Sequence, residues 1–189
     1  MANTNAFLPD IPVTTSYMRL NQGSNKFRIL GDTIDGYEYW EDVDGGRKPV
    51  RLTKEDAKGK TYSDTPKYFW AMVVYNYEAE VVQILQLTQK TIQTYIKEYS
   101  ISDDYGDPHT YDITITKEGE GLNTEYRVMA SPPKPVDEAV EKMFKDMKIN
   151  IKKLYSTKEE PHGGDPFVVS DEITPEEVEE FDPKEVAKE

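Results

Sequence analysis

Alternation of apolar and polar residues runs through much of the chain and predicts β-strands. Near the start, Phe27 and Ile29 would lie on one face of an extended segment, with Lys26 and Arg28 on the other. Alternation or a short apolar run also marks segments at 37–40, 47–52, 67–75, 80–87, 111–116 and 124–129. Gly-containing pairs between these segments, such as 35–36, are typical of tight turns. The pattern predicts five to seven antiparallel strands.

Two segments have helical spacing instead. Residues 88–99 repeat apolar positions at intervals of three and four, and residues 136–154 carry a longer apolar stripe. The first helix would be inserted late in the sheet, and the second would follow the last strand. The expected fold is mainly β: a small Greek-key barrel with one inserted helix and one C-terminal helix, because closing the sheet removes its exposed edges.

These patterns divide the chain into four parts. Residues 1–24 have no sustained period and predict an irregular N-terminal arm, whereas 25–130 hold the strands of the main domain. Residues 131–158 combine a proline-rich linker with the second helix, and residues 159–189 predict a disordered acidic tail. The arm and the second helix are candidates for pairing with a neighbouring subunit, so self-association stays open.

Charge is concentrated at the C-terminal end. Residues 159–189 carry a net charge of −10, whereas the whole chain carries −13. Such a segment, interrupted by prolines, is most often a solubilising end. It also contains spaced apolar residues, which is the composition of a segment that docks on partner proteins. The candidate partner-binding residues are Phe181 and its neighbours Glu179, Glu180 and Asp182.

Aromatic and cationic residues are interleaved in the first half of the chain. Residues 47–67 hold seven Lys or Arg against three acidic residues, inside an acidic protein. Single-stranded nucleic acid requires this mixture, because cations follow the phosphates and flat rings stack on the bases. The alternative is that individual rings are simply core. The candidate nucleic-acid-binding residues are Lys26, Arg28, Tyr37, Tyr39, Trp40, Arg47, Lys48, Arg51, Lys67, Phe69, Trp70, Tyr75 and Tyr105.

Catalytic and metal chemistry have little support in the sequence. The chain has no Cys, which excludes disulfides and thiolate zinc sites and is typical of a cytoplasmic protein. A carboxylate group formed by Asp103, Asp104 and Asp107 could hold Mg²⁺ in a small nuclease, but the same residues are typical of a turn. We expect no cofactor, no metal and no catalysis.

The chain has no apolar run long enough to span a membrane. An N-terminal secretion signal is not expected either, because no basic segment precedes an apolar stretch. Two alternatives to the binding of single-stranded nucleic acid stay open: the small Mg-dependent nuclease, and a protein-interaction module without nucleic acid.

Several segments together resemble the single-stranded DNA-binding proteins of tailed bacteriophages and prophages. They are KFRIL, GYEYW, KYFWAMVVYN, QILQLTQKTI and DYGDPHTYDITITKEGEGLNTEY, followed by the acidic end. The resemblance covers about residues 16–129. It implies an OB-fold that coats single-stranded DNA in replication and recombination, and a tail that contacts other replication or recombination proteins. It also implies that Trp40, Arg51, Lys67 and Trp70 line the DNA groove.

Overall fold

The computed structural model describes residues 16–62 and 64–167. The strands are β1 (Tyr17–Met18), β2 (Gly23–Val43), β3 (Gly46–Leu52), β4 (Lys67–Asn76), β5 (Val81–Leu87), β6 (Asp112–Glu118) and β7 (Glu125–Ala130). The α-helices are α1 (Lys54–Ala57), α2 (Lys90–Ser100) and α3 (Glu138–Met147). No helix within the two described ranges has the length and apolar character needed to cross a bilayer.

All seven strands form one mixed sheet in the order β1-β5-β4-β2-β6-β7, with β3 paired to β2 beside this path. The mainly β prediction is confirmed, but the sheet is open rather than a closed barrel. β5 pairs with β4 along one edge and with β1 along the other, and β1 runs parallel to it. β1 and β7 therefore lie at opposite ends of the described sheet. The prediction of purely antiparallel strands was therefore wrong, and part of the predicted irregular arm is a strand.

The longest strand, β2, passes straight through the turn predicted at 35–36. It pairs with β4 along one edge, and along the other it pairs first with β6 and then with β3. The pairing register with β4 shifts between Ile29 and Thr33, where the strand bends. At Gly36, an added Cβ would lie 2.0 Å from the carbonyl oxygen of Leu52. Glycine is required at this position because β3 approaches it closely. A glycine that is required by such a close approach looks the same in the sequence as a glycine that is required by a turn.

Apolar residues pack on both faces of the β4–β5 part of the sheet. On one face α2, β6 and β7 cover a core that includes Phe27, Met72, Ile92, Ile96 and Ile113. On the other face, α3 and the residues that follow it cover a second cluster built on Phe69, Ala71, Val73 and Ile84. A strand buried on both faces reads as a continuous apolar run, as the sequence at 80–87 does.

The second helix is shorter than its sequence pattern predicts. α3 ends at Met147, because Lys148 adopts a left-handed conformation with φ of 46°. The chain then forms a 3-10 turn, Ile151–Leu154, whose apolar side chains still pack on the second cluster. Residues up to Phe167 continue over the same face of the sheet. The apolar stripe was correctly identified, but two elements share it.

Candidate nucleic-acid interface

A groove of about 940 Å³ lies between the sheet and α2. Its lining combines three aromatic rings with three cations and one acid, Glu98. Within the described residues, none of the three lysines forms an ion pair. The groove therefore carries positive charge in a protein that is acidic overall. The rings are Tyr37, Tyr68 and Trp70, and the cations are Lys67, Lys90 and Lys97.

Strand pairing places the rings side by side. Tyr37 of β2 is directly opposite Tyr68 of β4, and their ring centroids are 5.6 Å apart. Trp70 follows two residues later and therefore faces the same side of the sheet. Its indole Nε1 donates to the Tyr68 hydroxyl at 3.2 Å. The three rings form one continuous surface.

Tyr68 is held in place by a charged pair at its hydroxyl. The hydroxyl donates to Asp35 Oδ2, and Lys54 Nζ lies 2.5 Å from the same oxygen and 5.3 Å from the Tyr68 ring centroid. Burial alone would raise the pKa of Asp35, but the hydrogen bonds from Lys54 and Tyr68 outweigh it and lower that pKa. Asp35 therefore stays ionised and orients both of its partners.

The contribution of α2 to the groove was not predicted. Lys90, Gln93 and Lys97 line the groove, whereas Ile92 and Ile96 face the core. Gln93 Nε2 also donates to the carbonyl of Leu87 at 2.9 Å, which fixes the helix against the sheet. The sequence contained this signal, because residues at three- and four-residue spacing share one side of a helix.

The predicted site residues fall into four groups: groove residues, buried residues, other cations and other aromatic residues. Tyr37, Lys67 and Trp70 lie together in the groove. The prediction that Arg28 and Phe69 contact nucleic acid was wrong, because these residues are only 1% and 0% exposed. Phe69 belongs to the second apolar cluster and cannot stack on a base without opening that cluster. Arg28 is held inside by a buried carboxylate.

The remaining predicted cations, with one exception, are neutralised by acids. Arg51 Nε lies 2.8 Å from Glu38 Oε2, with only 13% of the arginine side chain exposed. Arg47 bridges Asp42 and Asp64 at 3.3 and 3.2 Å. Lys26 is paired with Asp112, whereas Lys48 is exposed on β3. The net positive stretch at 47–67 therefore does not form one continuous cationic surface.

The remaining predicted aromatic residues lie outside the groove. Trp40 is 42% exposed and lines a separate cavity with Arg47 and three acidic residues. Each of the others packs against one or two further tyrosines: Tyr39 on Tyr62, Tyr75 on Tyr77, and Tyr105 on Tyr99 and Tyr111. The acidic surroundings of Trp40 are unfavourable for a polyanion.

A buried carboxylate, that of Asp112, joins β6 to β2 and to the linker after β7. Asp112 Oδ1 accepts from Arg28 Nη1 at 2.9 Å and from the Tyr77 hydroxyl at 2.7 Å. Lys134 and Lys26 lie 3.2 and 3.4 Å from Oδ2. Burial alone would raise the pKa of Asp112, but the hydrogen bonds from Tyr77, Arg28 and Lys134 outweigh it and lower that pKa. This group holds the linker against β2 and β6.

One of the three loop carboxylates, that of Asp107, has local structural contacts. Asp107 Oδ1 accepts from the backbone N–H of His109 at 3.0 Å and lies 2.6 Å from its Nδ1. Among the described residues, no three acidic or histidine side chains gather in a way that could hold a metal ion, so Asp103, Asp104 and Asp107 form no such group. No observation favours the nuclease alternative.

His109 links this loop to the bend of β2. Its Nε2 lies 3.0 Å from the carbonyl oxygen of Gly31, and its Nδ1 lies beside Asp107. Burial lowers the pKa of His109, but the Gly31 carbonyl and the Asp107 carboxylate outweigh it and raise that pKa above its ordinary value. Both ring nitrogens donate only in the protonated form, so the link favours the cation.

A decrease in stability at alkaline pH is expected from this link. Because the folded state raises the pKa of His109, its stabilising effect is complete below the ordinary value of 6.5 and is lost as pH rises through the folded-state pKa. Urea unfolding of the native chain and His109→Gln should therefore differ more at about pH 6 than at about pH 8.5. An equal difference at both values would contradict a charged link.

The partner-binding residues predicted in the acidic tail, Phe181, Glu179, Glu180 and Asp182, lie outside the described residues. No protein-family model, no curated protein and no solved structure matches this chain.

Proposed function

We propose that this protein binds single-stranded DNA, without marked sequence preference, in the groove between the sheet and α2. One observation carries the proposal: three lysines that form no ion pair with any described residue and three adjoining aromatic rings line the same groove. Rings stack on any base and cations neutralise any backbone, so this combination binds strands of many sequences. The expected roles are phosphate contact for Lys67, Lys90 and Lys97, and base stacking for Tyr37, Tyr68 and Trp70.

The connectivity supports an OB-like architecture. β2, β4 and β5 form a meander, α2 follows, and β6 returns to pair with the first strand of that meander before β7. OB-folds are five-stranded, partly open Greek-key barrels. We therefore propose an open variant of the OB-fold, in which the edge of β5 is covered by β1. The sequence resemblance to phage single-stranded DNA-binding proteins agrees with this proposal, and with a role in phage DNA replication or recombination.

Titration with a thymidylate oligonucleotide tests the function. Tryptophan fluorescence should be quenched on binding, and affinity should fall steeply as salt is raised, because phosphate contacts release counterions. Three lysines on a single strand correspond to a log–log salt slope of about −2. The same sequence in duplex form should bind much more weakly, because its bases are already stacked. Equal affinity for both forms, or no binding at low salt, would reject the proposal.

The acidic tail is proposed to compete with DNA for the groove and to recruit replication or recombination proteins. Residues 168–189 carry nine acidic residues and two lysines. Because residues up to Phe167 pack on the body, the deletion should remove only 168–189. This variant should bind the oligonucleotide several-fold more tightly at low salt, and the gain should disappear at high salt as charges are screened. Unchanged affinity at low salt would reject competition by the tail.

A further inference from the structure

A second recess opens on the other side of Trp70. It has a volume of about 360 Å³ and lies between the bend of β2, the end of α2 and the loop before β6. Its floor consists of Ile29, Met72 and Ile96, which are otherwise buried core residues. The remaining lining is Asp32, Thr33, Trp70, Lys97, Ser100, Pro108 and His109. An apolar floor with a few polar groups around it is the usual anatomy of a small-ligand site.

The recess and the groove are neighbouring cavities that share two lining residues. Trp70 and Lys97 line both cavities, so the indole ring separates two spaces and the ammonium group lies within reach of both. A strand that stacks in the groove would therefore meet the recess directly beyond Trp70. Lys97 forms no ion pair within residues 16–62 and 64–167, which leaves its charge for a phosphate.

The wall of the recess is held rigidly. The imidazole of His109 is fixed between the Gly31 carbonyl and Asp107, at 3.0 and 2.6 Å, and this joins the loop to β2 at the wall of the recess. A rigid, preformed recess binds a flat apolar group at a lower entropic cost than one that must form on binding.

We propose that this recess is a second base-binding subsite, which takes one nucleobase of a strand whose neighbouring nucleotide lies in the groove. The phosphate between the two nucleotides contacts Lys97. A nucleobase fits the lining, because its faces are apolar and its edges carry donors and acceptors for the hydroxyls of Thr33 and Ser100. This inference rests on the proposed function, which it extends from one cavity to two.

Filling the recess tests the subsite. Thr33 is exposed and pairs with Met72, so its side chain projects on the face that forms the floor. Thr33→Phe should place a ring in the recess and weaken oligonucleotide binding by about 5- to 150-fold, the equivalent of one lost base contact. The matched control is Ser24→Phe, at an exposed position of the same strand that lines neither cavity. The control should change affinity less than about twofold.

The background for both variants is Trp40→Phe, because it leaves Trp70 as the sole tryptophan of the chain. In Thr33→Phe, quenching of Trp70 should persist at saturation, since a base still stacks in the groove. Equal affinities for the two phenylalanine variants, with Trp70 quenched in both, would overturn the subsite and leave the groove proposal intact. Failure of the parent to bind or to show quenching would overturn both proposals.

A measurement on the unmodified protein decides the matter even if Thr33→Phe does not fold. The methyl resonances of Met72 and Ile96 should shift when a thymidylate oligonucleotide of about 12 nucleotides is added, because a base in the recess places its ring current beside them. Unchanged methyl resonances together with a shifted Trp70 indole resonance would also reject the subsite.

Discussion

Replacement of Asp112 with alanine should destabilise the fold by about 3–5 kcal/mol, because it leaves a buried guanidinium without its counter-charge. Lys26 and Lys134 also pair with Asp112, but their side chains are 43% and 54% exposed and can turn to water. Arg28 is 1% exposed and cannot. Its remaining partners, the carbonyl oxygens of His109 and Lys134, satisfy its hydrogen bonds but not its charge. Urea unfolding followed by circular dichroism measures the loss.

The matched control for this substitution is Asp146→Ala. Asp146 also pairs with a lysine, Lys142, but both side chains are largely exposed on α3. Exposed pairs contribute little to stability, so the control should unfold close to the native chain. If Asp112→Ala unfolds as the control does, Arg28 must be reached by solvent, and the buried charge would not have the structural role assigned to it.

Trp70→Leu should weaken binding of the thymidylate oligonucleotide by about 1–3 kcal/mol, the value typical of one base–aromatic stack. Leucine keeps an apolar side chain against the core, on which Trp70 partly packs, and removes the flat ring together with its hydrogen bond to Tyr68. Fluorescence anisotropy of a labelled oligonucleotide gives the affinity, and thermal unfolding verifies that the variant remains folded.

The comparison variant is Trp40→Leu. Trp40 is the more exposed tryptophan, but it shares its cavity with Glu41, Asp42 and Asp64, which repel phosphate. It should therefore lose much less affinity than Trp70→Leu. A larger loss at Trp40 would move the binding surface from the groove to the β2–β3 hairpin and would contradict the assignment made from charge.

Much of the local structure could be predicted from the sequence, because it depends on short-range periodicity. The strand patterns at 47–52 and 67–75 correspond to β3 and β4, and the helical spacing at 88–99 corresponds to α2. The prediction failed where one signal has two structural causes. Gly36 follows an aspartate, as turn glycines often do, yet it lies within a strand because β3 approaches it closely.

The candidate site was only partly predictable for a similar reason. Alternation along a strand shows which residues share a face. It does not show what covers that face. Arg28 and Phe69 have the residue types of a nucleic-acid site, but Asp112 and the second apolar cluster bury them. Both contacts join residues far apart in the chain.

A mainly β body, the positions of most strands and helices, and the concentration of negative charge after residue 158 could all be predicted from the sequence alone. These properties follow from composition and from periods of two and 3.6 residues, which are local. The fold was needed to show which cations have no acidic partner among the described residues, which rings are exposed, and that α2 lies against the sheet to form a groove. Those properties depend on partners distant in sequence, because burial and ion pairing are set by whichever segments the fold brings together.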